Sequence, residues 1–258
     1  MSNKDTQTNT ILVLMAHPDD AEILCGGTLA LFHRAGWNVH IATATPGDCG
    51  TNSMSREEIS AIRRKEAAAA AAVLGGKHYC LEQGDTVVQF GRDALFAANG
   101  ILREVCPRIV IVHNPVDYMT DHEQASYIGR AACFAAPVPN APAPEGSTPL
   151  AAIPHLYYAD PVEGKNVFGE TVQPGVLIDI ESALDTKIEM VACHASQREW
   201  LRAHHGMDEY VESTKRWSEE RGKLAGFKYG EGFRQHLGHG YPQDDLLGET
   251  LKEYAKIF

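Results

Sequence analysis

Two short polar segments, each directly after an apolar run, hold the side chains of this chain that are suited to catalysis. The first is AHPDDAE at residues 16–22, which follows an aliphatic run typical of a strand buried on both faces of a sheet. It offers the imidazole of His17 and two adjacent carboxylates, Asp19 and Asp20. Open α/β sheets bind ligands at the carboxyl ends of their strands. One imidazole and two carboxylates at such an end can hold a divalent metal and still leave a carboxylate free as a base.

The second polar segment follows the aliphatic run at residues 108–113 and ends in Asp121 and His122. Three strand–helix units separate the two segments along the chain, but in a doubly wound sheet both can reach the same carboxyl edge. His122 could then supply a third protein ligand. Two histidines, one carboxylate and a water form a common catalytic zinc site. The six cysteines lie far apart without a CxxC pair, so a cysteine-ligated structural zinc site is not expected.

Strands that alternate with helices must position these two segments. Hydrophobic patterns and turn signals predict six strands and five helices, and Ser55 with Glu58 is expected to form a capping box. The strands are expected at 12–15, 37–45, 77–81, 108–113, 155–158 and 175–180, and the helices at 23–35, 55–72, 93–105, 122–134 and 184–203. This alternation predicts an α/β fold with a Rossmann-like, mostly parallel sheet and helices on both faces.

The expected organisation is a disordered tail at residues 1–10, one main domain at 11–203 and a small C-terminal appendage of the same domain at 204–258. The adjacent glycines at 26 and 27 are expected to allow close helix–sheet packing, because no G-x-G-x-x-G phosphate loop is present.

Composition narrows the class of protein. The net charge is −11, from 23 Lys and Arg against 34 Asp and Glu, and no basic cluster stands out. A nucleic acid or an anionic membrane is therefore not an expected partner. No apolar run approaches the roughly 18–20 residues that span a bilayer, and the polar N-terminus lacks a signal-peptide core. Scattered cysteines suit reduced thiols. We expect a cytoplasmic protein that binds a small molecule, and we leave a homo-oligomer open.

These motifs resemble the zinc-dependent N-deacetylases of the LmbE and PIG-L type. The similarity rests on HPDDAE, on the later Asp-His, on Arg63-x-x-Glu66 and on Lys187 with the His194-x-Ser-Gln string, and it covers roughly residues 11–201. It implies a Rossmann-like fold, one zinc ion and hydrolysis of an N-acyl group, typically the acetyl group of an amino sugar. By position, the resemblance implies that His17, Asp20 and His122 bind zinc and that Asp19 is the general base.

One position departs from that family. Many members have a histidine three residues before the zinc-binding histidine, where it is thought to stabilise the oxyanion, but this chain has Met119. A thioether cannot donate a hydrogen bond. Tyr118, His113 and His155 are the candidate replacements. Met119 itself is expected to line the acyl or sugar pocket, where a flexible thioether packs well.

Several other residues have a plain structural interpretation beside the functional one. Arg63 and Glu66 are spaced to contact the substrate or to form a surface ion pair on a helix. His194 is at least as suited to a structural role as to the site. Asp121 is expected to orient a metal-binding imidazole, since such rings usually donate their second N–H to a carboxylate. The histidines at 204, 205, 236 and 239 are expected at the surface or at an interface and not as metal ligands.

The resemblance implies a metal-dependent amide hydrolase. Asp19 would take a proton from a metal-activated water and deliver it to the leaving nitrogen. A nucleotide-binding Rossmann protein is disfavoured because the first loop lacks a glycine-rich fingerprint. Two alternatives stay open. One is a non-catalytic carbohydrate-binding relative, although no expected ligand or base is missing. The other is an amidase on an N-acylated metabolite that is not a sugar.

Overall fold

A computed structural model of this protein describes residues 9–198 and 209–258, and these residues build one eight-stranded sheet. The strands are β1 (Thr10–Met15), β2 (Asn38–Thr43), β3 (His78–Cys80), β4 (Ile109–Val112), β5 (His155–Ala159), β6 (Val176–Asp179), β7 (Gly230–Gln235) and β8 (Ala255–Ile257). The helices are α1 (Asp20–Arg34), α2 (Arg56–Val73), α3 (Arg92–Val105), α4 (Thr120–Ala135), α5 (Leu184–Ala192), α6 (Glu209–Gly222) and α7 (Leu246–Thr250), with short 3₁₀ turns at Val162–Gly164 and Glu181–Ala183.

The sheet has the strand order β3-β2-β1-β4-β5-β7-β6-β8. The first five strands in this order pair in parallel, and the last three join them through antiparallel pairs. The prediction of a Rossmann-like, mostly parallel sheet is therefore confirmed. From β1 the chain continues to β2 and β3 on one side of the sheet and then returns to add β4 and β5 on the other side. The gap between β1 and β4 is therefore a topological switch point, where open α/β sheets bind ligands. Leu14 pairs with Val112, so the loops after β1 and β4 begin side by side.

Helices cover both faces of the central strand β1. Its side chains alternate between two cores, as the period of a strand requires. Val13 lies in one core with Leu29 and Phe32 of α1, and Leu14 lies in the other with residues of α3 and α4.

Gly27 allows α1 to pack closely against Ile180, the residue that follows β6. Any larger residue would clash there, because a Cβ atom at position 27 would lie 2.6 Å from the Ile180 side chain. The expected packing role is therefore met by Gly27, whereas a Cβ atom at Gly26 would lie 3.1 Å from Lys187 Cγ on α5, a helix–helix contact.

Two helix boundaries differ in ways that matter for the site. Helix α1 begins at Asp20, three residues before the predicted start, so Asp19 becomes its N-cap. Helix α5 ends at Ala192, but the predicted helix to residue 203 is interrupted only at Cys193 and His194, because residues 195–198 are helical again; residues 199–203 lie outside the described residues. The capping box of α2 is present as predicted, with Ser55 Oγ accepting from the Glu58 N–H at 3.2 Å and the Glu58 carboxylate accepting from the Ser55 N–H at 2.9 Å.

The C-terminal region is part of the sheet itself and not a separate appendage. Strand β7 lies between β5 and β6, and Glu231 on β7 accepts the N–H groups of Gly27 and Thr28 at 2.9 and 2.7 Å. This region therefore completes the sheet and fixes α1 against it. Within the described part of the chain, no helix combines the length and apolar character needed to cross a membrane.

Candidate metal centre and active site

The carboxyl ends of β1 and β4 bring together His17, Asp20 and His122. His17 lies in the loop after β1, Asp20 is the first residue of α1, and His122 lies in the first turn of α4. Their potential ligand atoms all lie within 4.8 Å of one another, and all three residues are buried. The Nδ1 atom of His17 is 3.3 Å from Asp20 Oδ2, and the Nε2 atom of His122 is 3.6 Å from Asp20 Oδ1. Two imidazole nitrogens and one carboxylate are the protein donors of many catalytic zinc sites, so these residues fit a single divalent ion.

Each of the two imidazoles directs its other nitrogen to a carboxylate away from the cluster. His17 Nε2 lies 3.2 Å from Asp121 Oδ2, and His122 Nδ1 lies 3.0 Å from Asp117 Oδ1. Asp121 is itself fixed by the N–H groups of Thr86 and Val88, at 2.6 and 3.4 Å. Such outer carboxylates set the tautomer and orientation of metal-binding histidines. The sequence suggested Asp121 for this geometry but missed Asp117, whose position before α4 matches no spacing rule.

His113 lies beneath this cluster and is fully buried. Its ring stacks on His122 with a centroid distance of 3.9 Å, and its Nε2 atom accepts the N–H of Ala16 at 3.0 Å. It is not among the residues that line the cavity in front of the cluster. The expectation that His113 replaces the oxyanion donor is therefore corrected, because a ring in this position cannot reach a substrate.

The residues His17, Asp20 and His122, which could hold one ion, form the metal cluster of this site. Asp19 lies beside this cluster and is held by two neighbours. Its Oδ2 atom accepts from Arg63 Nη2 at 3.1 Å and from the Tyr210 hydroxyl at 2.5 Å. Both of these hydrogen bonds go to Oδ2, and Asp19 is among the residues that line the cavity in front of the cluster. Tyr210 comes from α6, and no motif in the sequence connected it with Asp19.

The backbone of Asp19 adopts an unusual conformation. Its φ angle is 108°, a value that L-residues rarely adopt, and such positions cost about 1–3 kcal/mol. Backbone outliers of this kind cluster at functional sites, where surrounding structure maintains them. Here the neighbours that maintain it are the start of α1 and the guanidinium of Arg63, which also donates to the carbonyl of Pro18 at 2.5 Å.

The pKa values of the two adjacent aspartates, Asp19 and Asp20, are shifted in opposite directions. Burial raises the pKa of the Asp19 carboxyl above its usual value, although the guanidinium of Arg63 opposes this shift. Burial would raise the pKa of Asp20 as well, but the charges of His122 and His113 outweigh it and hold that pKa well below its usual value. A pair of carboxylates whose pKa values are separated by their surroundings is the arrangement in which one is a ligand or charge and the other exchanges protons.

A cavity of about 330 Å³ opens in front of the cluster and is large enough for a small ligand. Arg63, Tyr118 and Met119 line it, as the sequence suggested, together with Asp85, Thr86 and Trp217, which it did not. Arg63 is 4% exposed and reaches Asp19, so its interpretation as half of a surface ion pair with Glu66 is wrong. Gly47 permits this approach, because it has a φ of 78° and a Cβ atom there would lie 2.6 Å from Arg63.

Two histidines that the sequence suggested as substrate contacts do not line this cavity. His155 is the first residue of β5, at the opposite edge of the sheet, where its Nε2 atom lies 3.0 Å from Asp244 Oδ1. The expectation for His155 is therefore corrected, because strand ends at the amino edge cannot reach the site. His194 is fully buried, with its Nε2 atom 3.5 Å from Glu22 Oε1. The expectation that His194 contacts the substrate is therefore corrected, because its buried side chain lies beside Glu22 and does not line the cavity.

Glu66 and Ser196, the other motif residues near Arg63 and His194, connect α2 to the segment after α5. Glu66 on α2 accepts the N–H and hydroxyl of Ser196, both at 2.7 Å, and thereby fixes the segment after α5. His236 packs against Tyr158 and Tyr241, away from the cluster. The two adjacent histidines at 204 and 205 lie outside the described residues.

Comparisons with known proteins agree with this geometry. The model of a family described as "PIG-L: GlcNAc-PI de-N-acetylase" matches residues 12–133, a range that contains both polar segments. The chain is 31% identical to the probable N-acetyl-alpha-D-glucosaminyl L-malate deacetylase 2 of Bacillus cereus, over 73% of this chain and 84% of the relative. It is 28% identical to the 4-oxalmesaconate hydratase of Pseudomonas putida, over 76% of each chain. It is 27% identical to the diacetylchitobiose deacetylase of Thermococcus kodakarensis, over 87% of this chain and 82% of the relative.

Solved structures show the same fold over nearly the whole chain. The N,N'-diacetylchitobiose deacetylase of Pyrococcus horikoshii superimposes with a TM-score of 0.75 at 26% identity, covering 92% of this chain and 88% of that one. The 4-carboxy-2-hydroxymuconate hydratase GalB of Pseudomonas putida gives 0.75 at 24% identity, covering 93% and 100%. The hydratase similarity introduces a reaction that the sequence motifs did not suggest.

Proposed function

This chain belongs to the PIG-L family, and from that premise we propose that it is a metal-dependent N-deacetylase that removes an acetyl group from an amino sugar. The observation that carries the proposal is the carboxylate of Asp19 beside a cluster of two histidines and Asp20, at the base of a cavity. The deacetylases among its relatives are named for amino-sugar substrates. The expected partner is a small N-acylated molecule.

We assign the metal to His17, Asp20 and His122. The outer nitrogens of the two histidines face Asp121 and Asp117, which leaves His17 Nδ1 and His122 Nε2 for the ion. Nitrogen and oxygen donors in this ratio favour zinc. When bound, the ion would supply a water whose pKa is lowered toward about 7 and would polarise the carbonyl of the substrate.

Asp19 carries the proton in this proposal. Its carboxylate takes a proton from the attacking water while a new C–O bond forms at the carbonyl carbon. The same carboxyl group then delivers the proton to the nitrogen as the C–N bond breaks, which yields a carboxylate and a free amine. Arg63 and Tyr210 hold Asp19 in place through its Oδ2 atom. Among the described residues of the cavity, Tyr118 is the candidate that we assign to the oxyanion in place of Met119.

A second candidate reaction is the hydration of a carbon–carbon double bond, and two observations favour it. The hydratase of Pseudomonas putida is a relative over three quarters of the chain. Met119 also lacks a hydrogen-bond donor. Water addition to an alkene forms no tetrahedral oxyanion at a carbonyl carbon, so it does not need a donor at this position.

The charges of the cavity do not separate the two reactions, because the metal offsets them. The described residues that line it include three carboxylates, Asp19, Asp20 and Asp85, against the guanidinium of Arg63, which is paired with Asp19. A divalent ion on the cluster would add two positive charges, which would attract a carboxylate as readily as a carbonyl oxygen. Deacetylation is preferred because two of the relatives are named for amino-sugar substrates.

One experiment separates these candidates. The zinc-loaded enzyme is incubated with a panel of N-acetylated amino sugars, with N-acetylated compounds that are not sugars, and with unsaturated di- and tricarboxylates. We expect acetate release from an amino sugar and constant ultraviolet absorbance of the conjugated acids. Loss of that absorbance without acetate release would favour the hydratase, and saturable sugar binding without turnover would favour a non-catalytic relative.

A further inference from the structure

A second group of potential metal ligands lies at the edge of the cavity, apart from the residues that the proposed function uses. Asp48 and Cys49 belong to the loop after β2, and Asp85 belongs to the loop after β3. One potential ligand atom from each of the three residues lies within 4.8 Å of the other two, and Cys49 and Asp85 both line the cavity. The two loops thus bring one thiol and two carboxylates to the same place.

Asp85 has a buried carboxylate oxygen that its neighbours leave unused. The residue is 4% exposed, and its Oδ2 atom accepts the N–H of Cys49 at 2.9 Å. Its Oδ1 atom is buried without a hydrogen-bond partner among the described residues. An unpaired buried carboxylate oxygen costs free energy, and buried charges are normally paired or coordinate a metal. The unused oxygen of Asp85 is therefore suited to a cation.

The backbone around Asp85 is held from both sides. Asp48 Oδ1 accepts the N–H of Asp85 at 2.8 Å, and Asp121 Oδ2 accepts the N–H of Thr86 at 2.6 Å. Thr86 has a φ of 69°, which L-residues rarely adopt, so these two bonds maintain a turn that the chain would otherwise avoid. A group of donors that is fixed in this way loses little conformational entropy when an ion binds.

The guanidinium of Arg56 already lies against this group as a cation. Its Nη1 atom is 3.0 Å from Asp48 Oδ2, and its Nη2 atom donates to Cys49 Sγ at 3.1 Å. The Arg56 side chain is 59% exposed, so water can replace its contacts at low cost. A divalent ion would bring twice the charge of the guanidinium and would bond directly to the donors. The position of Arg56 thus marks a place where a stronger cation can compete.

The donor types select the kind of ion. A thiolate is a soft ligand that suits zinc and similar thiophilic ions, whereas calcium and magnesium take oxygen ligands. Three protein donors leave a coordination position open. Because the ion must displace Arg56, we expect this site to bind more weakly than the cluster of His17, Asp20 and His122 and to fill only when metal is added in excess.

We propose that Asp48, Cys49 and Asp85 form a second site for a thiophilic divalent ion, and that the guanidinium of Arg56 holds this place when the ion is absent. The bound ion would join the loops after β2 and β3 at the edge of the cavity and would pair the buried oxygen of Asp85. The proposal does not depend on the reaction assigned to the first metal, so its test measures binding and not turnover.

Cadmium is the probe, because its bond to a thiolate gives an ultraviolet charge-transfer band that its bonds to imidazole and carboxylate lack. The zinc-loaded protein, kept reduced under nitrogen, is titrated with cadmium chloride. We expect one saturable step of one ion per chain. Cys49→Ser should remove the band, whereas Cys106→Ala, which changes another exposed cysteine, should keep it. A band of unchanged amplitude and Kd in Cys49→Ser would overturn the proposal.

Three further variants separate a built site from a lone surface thiol. Asp85→Asn should weaken the cadmium Kd at least about tenfold, the lower end of the cost of losing a supporting partner of a metal site. Arg56→Gln should strengthen the Kd about threefold, because it removes a competing cation whose exposed ion pair contributes little. Arg64→Gln changes another arginine of α2 that forms an ion pair, and it should leave the Kd unchanged.

The result that would contradict the site is a cadmium Kd equal to that of the wild type in both Asp85→Asn and Arg56→Gln. It would show that Cys49 binds the ion as an isolated thiol, without the carboxylates. These outcomes hold whether or not the wild type releases acetate from an amino sugar, so failure of the proposed deacetylation and failure of the second site are distinguishable.

Discussion

The metal cluster and the ion-pair network behind β7 are both made of buried charged residues, but only the first has room for a ligand. In the network, Lys187 Nζ lies 2.7 Å from Glu231 Oε1 and 3.1 Å from Ser218 Oγ. Glu231 uses its carboxylate fully, because it also accepts two backbone N–H groups of α1. The space beside this network is about 30 Å³, which is room for about one water, against about 330 Å³ in front of the metal cluster.

Burial of charge alone therefore does not identify the site in this protein. The lysine and glutamate of the network neutralise each other and are closed off, which is the arrangement of a structural ion pair. In the metal cluster, three potential ligand atoms converge on one point and a fourth group, Asp19, lies beside them at a cavity. Residues with shifted pKa values indicate a functional site when their side chains also converge on a cavity that a ligand can enter.

The largest effect that would sharpen this comparison is expected at Asp19. The variant Asp19→Asn should retain the metal and lose on the order of 10²–10⁴-fold in kcat, because it removes a general acid–base group but no ligand. Steady-state kinetics and elemental analysis on the same preparation check both parts. Asp20→Asn is the matched control and should lose the metal. The opposite result, with metal lost from Asp19→Asn and kept by Asp20→Asn, would show that the two roles are exchanged.

The network should respond through stability. Lys187→Met leaves the carboxylate of Glu231 buried without its partner, and breaking a buried pair in this way costs about 3–5 kcal/mol. We expect a clear fall in the midpoint of denaturant unfolding, with metal stoichiometry unchanged in the remaining folded protein. The exposed pair of Lys228 with Glu181 offers a control, since solvent screens it and Lys228→Met should leave the unfolding midpoint close to that of the wild type. A stability loss no larger than the control's would remove the distinction between the two regions.

A smaller effect is expected at Met119, which faces the cavity but offers no hydrogen bond. Met119→Ala should act mainly on KM and on acyl-chain preference, because it removes packing that ground state and transition state share. The fall in kcat should be far less than the roughly 10²–10³-fold loss seen when an oxyanion donor is removed. Kinetics with acetyl and longer acyl substrates measure the split. A large fall in kcat at constant KM and metal content would show that this thioether shapes the transition state.

Local patterns in the sequence predicted the parts of the fold that local physics determines. The aliphatic runs of β1 and β4 and the capping box at Ser55 act over a few residues, and the structure has each of them close to its expected place. The convergence of His17 with His122 follows from the parallel order of the strands, which alternation of strand and helix predicts.

Contacts between distant segments were not predictable in the same way. Tyr210 reaches Asp19 from 191 positions away, and no periodicity links them. Strand β7, with the sequence GEGFRQ, is poor in the β-branched residues that usually indicate strands, so its place inside the sheet was missed. His155 looked suitable as a donor because of its residue type, but only the strand register shows that it lies at the wrong edge.

The most direct test of the account is the metal content of the purified wild-type protein and of His122→Ala, measured by elemental analysis after removal of loosely bound ions. We predict one zinc ion per chain in the wild type and close to none in His122→Ala. His236→Ala, which changes a histidine outside the cluster, should keep one ion per chain. A wild-type protein that holds no stoichiometric divalent metal, with activity indifferent to a chelator, would contradict the metal centre and the hydrolytic mechanism built on it.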